Sequence, residues 1–428
     1  EQYAFKQCTS LEKIIIDQFN IEIHVSSFEN CTSLKCLTIS EETKLPSNAH
    51  FNRELFQHIT QVIIPSSITI IKEKTFYEYD ILEEILLPET LITIEDYSFY
   101  GCSSLKKIQL PSSLKTLGKH VFSKCSSLTQ IIIPDNINRL EEYSFYECSS
   151  LTEIKLSNNI EYIGEHSFEK CKSLTIINLP PKLTILNEYI FSECSSLINI
   201  KLPNNLTNIC SYSFKECSSL TNIELPTSIT NISKYSFSHC SSLTNIKLPP
   251  TIPSIEEGIF EGCSSLNEIN IPESVQTICG KSFSECSSLT KIKITDSVKL
   301  IEQDAFIKCK SLEEITIDPT ITKVQKGAFQ DCYYFKHLII STSNKSWSDY
   351  SDSKYPYVVQ ITIVPGLRKI GSYTFFQCDS LTKISLPSSL ISINEYAFSQ
   401  CFALKELEIP STVSIIGKYA FEGCSSLT

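Results

Sequence analysis

The chain has 428 residues, a formal net charge of −11 and an isoelectric point near 5.3. That balance argues against a nucleic-acid partner, which would call for a basic surface. No window approaches 18 consecutive apolar residues, so no stretch reads as a membrane-spanning helix.

One phenylalanine and one cysteine, three residues apart, return every 23 residues. Cys8 and Cys31 open the series, and Cys102, Cys125, Cys148, Cys171, Cys194 and Cys217 carry it forward. It continues through Cys240, Cys263, Cys286, Cys309 and Cys332 to Cys378, Cys401 and Cys424. Tyr79, Phe56 and Tyr355 fill the vacant cysteine places, and only the step from Cys31 to Phe56 is irregular. Arg53 and Asp352 replace the phenylalanine. A fixed period of this length marks a solenoid, in which each unit buries its apolar face only by stacking on its neighbours.

Within a unit each position has a physical role. Leu105 to Cys125 is a clean copy. Ile108 and Leu110 flank Gln109 in the alternation of a half-buried strand. Pro111 follows, where a residue without an N–H can end a strand. Leu114 and Leu117 predict a second inward stretch on the far wall. Phe122 fills the widest part of the coil, and short helical turns are expected from Phe122 to Cys125. The coils near 40–56 and 341–355 are irregular; the latter puts Asn344, Trp347 and Asp352 where Leu, Ile and Phe belong. Both chain ends fall inside a repeat, at Tyr3-Ala4-Phe5 and at Ser425 to Thr428, as in a piece of a longer protein.

The scheme L-x-x-I-x-L-P-x-x-L-x-x-I-x-x-x-x-F-x-x-C resembles the BspA-like leucine-rich-repeat surface proteins over essentially the whole chain. Ile163-Gly164, Ile370-Gly371, Tyr396-Ala397-Phe398 and Tyr419-Ala420-Phe421 carry the likeness most closely. The resemblance implies a single leucine-rich-repeat solenoid over 1–428, of about 18–19 coils of 23 residues. One continuous parallel β-sheet would line one, concave, face, with short second strands or helical turns on the other. It also implies a cell-surface or secreted protein acting in adhesion.

Nineteen cysteines would ordinarily suggest a disulfide scaffold. In stacked coils, however, equivalent side chains point the same way, which is poor geometry for a bridge. The expectation is a ladder of reduced, buried thiols, since free cysteine behaves as a small apolar residue. Cys210 and Cys279 share the position of Gly118, Gly164 and Gly371 and read as structural, while Cys36 falls on the exposed strand face and reads as the most reactive thiol. The seven histidines have no zinc-ligand spacing. Neither a metal nor a cofactor is expected, and no catalytic constellation stands out, so the expectation is a protein that is not an enzyme. Tyrosine recurs five before the cysteine position (Tyr97, Tyr143, Tyr189, Tyr212, Tyr235, Tyr350, Tyr373, Tyr396, Tyr419), as a packing ladder. Sequons stand at Asn30, Asn205, Asn231 and Asn344.

Partner information should lie at the strand position between the two inward residues, because the fold does not fix it. The first third places Ile63, Leu86 and Ile132 there. The middle alternates Lys155, Lys201, Lys247 and Lys293 with Asn178, Glu224 and Asn270. These residues form the expected ligand-binding face. The expected partner is a protein or glycoprotein ligand, with no nucleic acid and no membrane contact except through a segment outside the chain. An intracellular scaffold or substrate-receptor domain is the alternative reading.

Overall fold

A computed structural model describes residues 3–16, 25–41, 51, 54, 56–317, 322–325, 327–340 and 358–428. Arg53, Asn344, Trp347, Tyr350, Asp352 and Tyr355, the expected coil at 341–355 and most of that near 40–56 lie outside them. The chain divides into two compact units, Glu1–Pro226 and Thr227–Thr428. Each is a stack of the same coil of parallel strands, about 16 turns in all.

Two walls recur. On the first, strands of three or four residues carry the L-x-x-I-x-L pattern, and each pairs in parallel with the equivalent strand of at least one adjacent coil. Cys36–Ile39 and Gln61–Ile63 pair in this way, with Leu37 opposite Val62 and Thr38 opposite Ile63. Ile176–Asn178 pairs with Asn199–Lys201, and Lys291–Lys293 with Glu314–Ile317 in the second unit. The period-2 alternation reads directly in burial. In Glu153–Lys155 the central Ile154 is buried while Glu153 and Lys155 are exposed. On the second wall, two-residue strands such as Thr93–Ile94, Thr116–Leu117 and Tyr162–Ile163 supply the expected second strands.

The core is a file of rings between the walls. Phe76, Phe99, Phe122, Phe145, Phe168 and Phe191 are fully buried, and successive rings stack with centroids 5.2 to 5.6 Å apart. Phe260, Phe283 and Phe306 continue the pattern within the second unit at 5.5 and 5.0 Å.

The helical turns expected between Phe and Cys are not formed. Among the described residues the one helical segment is a single 3-10 turn at Val25–Phe28. In its place each coil has two tight turns, each containing a residue in the left-handed region, as at Tyr143 (φ 57°) and Glu147 (φ 58°). The backbone hydrogen bonds give the reason. The N–H groups of Tyr143, Phe145 and Glu147 donate to Glu165, Ser167 and Glu169 of the next coil, whereas Tyr146 and Cys148 bond back three residues. Pulling alternate N–H groups outward is incompatible with the i→i−4 ladder of an α-helix. The left-handed residues cost roughly 1–2 kcal/mol each, offset by inter-coil bonds that leave the turn backbone paired.

The thiol ladder forms as expected. Every described cysteine is free, and those from Cys102 to Cys401 at the repeat position are buried. Most of these thiols also have a partner in the preceding coil. Cys148 Sγ–H donates to the Phe122 carbonyl at 3.0 Å, and that carbonyl also accepts the Cys125 N–H at 3.1 Å. The same bond recurs at Cys125, Cys171 and Cys194, and at Cys263, Cys286 and Cys309 in the second unit. Burial pushes these thiols up, Cys263 to about 12. Where Tyr79 takes the cysteine place, its hydroxyl donates to Ile59 O at 2.8 Å and Phe56 O at 3.1 Å. Cys210 and Cys279 are half-buried, and burial raises both thiols, Cys279 to about 12. One detail differs from expectation. Cys36 is only half-exposed, because its strand pairs on both sides with Lys13 and Gln61, and Cys8 in the first coil is the exposed thiol.

Candidate functional site: the polar face of the first wall

In each coil the first wall presents to solvent the residues on either side of its inward isoleucine, and the second of these forms the variable column. In the first unit the column begins apolar. Ile63 sits opposite Leu86 in register; Ile63 is half-exposed and Leu86 46% exposed. Ile132, at 63% exposure, lies opposite Lys155. The column then turns polar, with Lys155, Asn178, Lys201 and Glu224 all exposed and Asn178 in register with Lys201. In the second unit Lys247, Asn270 and Lys293 are likewise exposed at equivalent positions.

Two clefts flank Lys201. One, of about 360 Å³, is lined by Asn199, Lys201, Asn204, Asn222 and Glu224 over Leu202 and Leu225. The other, of about 510 Å³, is lined by Asn178, Lys201, Asn204 and Asn205 over Leu179 and Leu202. Sequence reading missed Asn199, which begins its strand, Asn222 at the equivalent place one coil on, and Asn204 and Asn205, which follow the proline. The available signal was amide enrichment in three adjacent coils around one lysine. The sequon residue Asn205 thus borders a cleft; Asn30 and Asn231 are exposed elsewhere, and Asn344 lies outside the described residues.

Charge pairing separates this face from the coil edges. At the edges, several lysines meet carboxylates of adjacent coils: Lys106 with Glu83 and Lys119 with Glu142 at 3.0 Å, Lys170 with Glu147 at 3.1 Å, and Lys308 with Glu285 at 2.8 Å. Lys155, Lys201, Lys247 and Lys293 form no ion pair among the described residues, nor does the Asn178 amide make a hydrogen bond there.

A second row was only partly legible. The tyrosine ladder is real, and His120 and His166 complete it. Tyr97, His120, Tyr143, His166, Tyr189 and Tyr212 stack as one continuous file, with centroids 4.4 to 4.6 Å apart and planes within 9°. Their ring faces are occupied by one another, which leaves only edges for a ligand. The row is a packing element, and the two histidines serve as rings in it. In the second unit the edge cleft between His239, Glu285, Lys308 and Tyr333 is partly closed by its own Lys308–Glu285 pair. Among the described residues no helix is long and apolar enough to cross a membrane.

Short parallel strands, a 23-residue coil and a variable outward column define a leucine-rich-repeat solenoid, a class of protein-interaction module. The model of the BspA-type leucine-rich-repeat region matches residues 1–129, 49–174, 139–263, 230–355 and 353–428. These matches together span the sequence, and the chain belongs to that family. Solved structures resemble the chain at low identity. A leucine-rich-repeat protein from Bacteroides ovatus is 23% identical, over 96% of this chain and 85% of its own, with a TM-score of 0.38. A leucine-rich cell surface protein from Faecalibacterium prausnitzii is 24% identical, over 66% of this chain and 82% of its own, with a TM-score of 0.44. A leucine-rich-repeat protein from T. pallidum is 24% identical, over 49% of this chain and 84% of its own, with a TM-score of 0.32. No curated protein matches the sequence.

Proposed function

We propose that the chain is a non-enzymatic adhesin module, displayed at a cell surface or secreted, that holds a protein ligand on the polar face of its first wall. The observation that carries this reading is the contrast in charge pairing. Edge lysines such as Lys106, Lys119, Lys170 and Lys308 are paired with carboxylates of adjacent coils, whereas Lys155, Lys201, Lys247 and Lys293 all stand exposed and without an ion pair among the described residues. Pairing at the edges serves inter-coil register; exposed, unpaired cations on a face whose identities the fold does not require serve a partner. The apolar start of the column, Ile63, Leu86 and Ile132, extends the same surface with area that stays in contact with water until a partner covers it.

Reversing the four lysines to glutamate tests the reading. Binding to cells, matrix protein or glycoprotein should weaken at least about tenfold, because contacts on a recognition face concentrate in a few residues. Melting temperature should stay nearly constant, because exposed charges contribute little to folding. Undiminished binding by the reversed protein, with loss on an edge substitution such as Tyr235→Ala, would move the site elsewhere. Absence of binding to any cell or matrix target would remove the adhesive role.

A further inference from the structure

The arrangement on the first wall repeats. Lys155, Asn178 and Lys201 occupy three successive coils of the first unit, and Lys247, Asn270 and Lys293 occupy three successive coils of the second. In both, two exposed lysines bracket one exposed asparagine. With about 4.8 Å between adjacent strands, the lysine positions of each triplet stand about 9.6 Å apart along the stack. A ligand that satisfies both must present anionic groups at that interval on one side. A bound β-strand does not, because residues on one side recur at about 6.7 Å and then about 13 Å. A polyproline II helix does, because it has three residues per turn and rises about 3.1 Å per residue, bringing every third side chain to one side at about 9.3 Å.

We propose that each Lys-Asn-Lys triplet binds an extended peptide segment in the polyproline II conformation, running along the stack, with a carboxylate at every third residue. This rests on the reading of the first wall as the recognition face. Three further observations agree with it. Asn178 offers an amide that is both donor and acceptor midway between Lys155 and Lys201, and its groups are unbonded among the described residues. A polyproline II backbone has its own N–H and C=O groups free to meet such an amide. The cleft between Asn178 and Lys201 has Leu179 and Leu202 beneath it, which suits the apolar residues between the acids. The partner is also bounded from the other side. Glu224 lines the adjoining cleft, and the chain carries −11 overall, so a densely sulfated glycan meets repulsion that a peptide with spaced carboxylates avoids.

The test uses the full chain and fluorescein-labelled twelve-residue peptides of proline and glutamate. One peptide places glutamate at every third position. Controls of identical composition place the same four glutamates at four successive alternate positions or in one block. Anisotropy titrations at about 50 mM salt should show the period-three peptide binding at least tenfold more tightly than either control, with two peptides per chain. The pair Lys155→Glu and Lys201→Glu should remove one of the two sites, and Lys247→Glu with Lys293→Glu the other. Circular dichroism and melting curves establish that each variant is folded. Equal affinity for the three peptides overturns the proposal, as does heparin binding more tightly than the period-three peptide with the same response to lysine reversal. If the reversals abolish cell or matrix binding while the peptides show no preference, the peptide inference fails and the recognition face stands. If the period-three peptide binds as described but no cell or matrix target does, the adhesive role fails and the peptide site stands.

Discussion

The His120 imidazole lies flat on the Tyr143 ring, centroids 4.4 Å apart and planes within 8°. Tyr97 covers its other face at 4.5 Å. One side chain is thus sandwiched between equivalents from the coils on either side, so it ties three coils together. Burial of the ring lowers the His120 pKa, against the opposing pull of Asp96 and Glu142.

A pH dependence follows. The native state favours the neutral ring, whereas the unfolded chain takes up a proton near pH 6.5. Between the depressed native value and 6.5 the unfolded state binds more protons, so stability rises with pH through that window and is lost as pH falls below about 6.5. His120→Tyr keeps the stack and removes the titration. Urea denaturation at pH 7 and pH 5 should show a smaller acid loss for the variant than for the parent; identical losses would remove His120 as the cause. His120→Ala should cost about 1–3 kcal/mol at pH 7, from two ring contacts of ~0.5–1.5 kcal/mol each.

The phenylalanine file should be the costliest row to interrupt. Phe145 is fully buried, between Phe122 at 5.5 Å and Phe168 at 5.6 Å. Phe145→Ala should lose about 3–5 kcal/mol. Because a solenoid is a chain of nearest-neighbour terms, hydrogen exchange should rise most in the coils on either side of residue 145. A uniform rise across both units would show cooperativity longer in range than nearest neighbours.

Tyr79 gives a test of the carbonyl-pairing role of the cysteine row. Its hydroxyl is buried and donates to Phe56 O and Ile59 O. Tyr79→Phe keeps the ring and strands the Ile59 carbonyl, while Phe56 O keeps the Ile59 N–H at 3.3 Å, at a cost of about 1–3 kcal/mol. A loss below about 0.5 kcal/mol in chemical denaturation would mean that the carbonyls find other donors.

Thiol labelling checks the ladder itself. In native protein a maleimide should react first at Cys8, which is exposed, and then at half-buried Cys36. The buried series from Cys102 to Cys401 should stay silent for lack of access, and at Cys125, Cys171 and Cys286 also because burial holds the thiols protonated. Denaturation without reductant should release all 19 thiols in the sequence. Disulfides found before denaturation would overturn the ladder.

The sequence by itself determined the coil. A leucine, an isoleucine or a phenylalanine at a fixed place in a 23-residue period leaves stacking as the only way to bury it, so both walls, the core file and the outward column of Ile63, Leu86, Lys155 and Lys201 were legible without coordinates. What tertiary structure decided were relations between residues of different coils, which a period cannot express. The turn from Phe to Cys reads locally as helical, yet alternate N–H groups are drawn to the next coil and force left-handed residues such as Tyr143 and Glu147. His120 and His166 look scattered along the chain, yet two coil steps bring them into one file with the tyrosines. The sequence puts Lys201 on the strand and Lys170 beside the cysteine, and only the coordinates show that Lys170 meets a carboxylate while Lys201 stands over two amide-lined clefts. A strand period sets which face a side chain is on; what lies across from it depends on the coil above and the coil below.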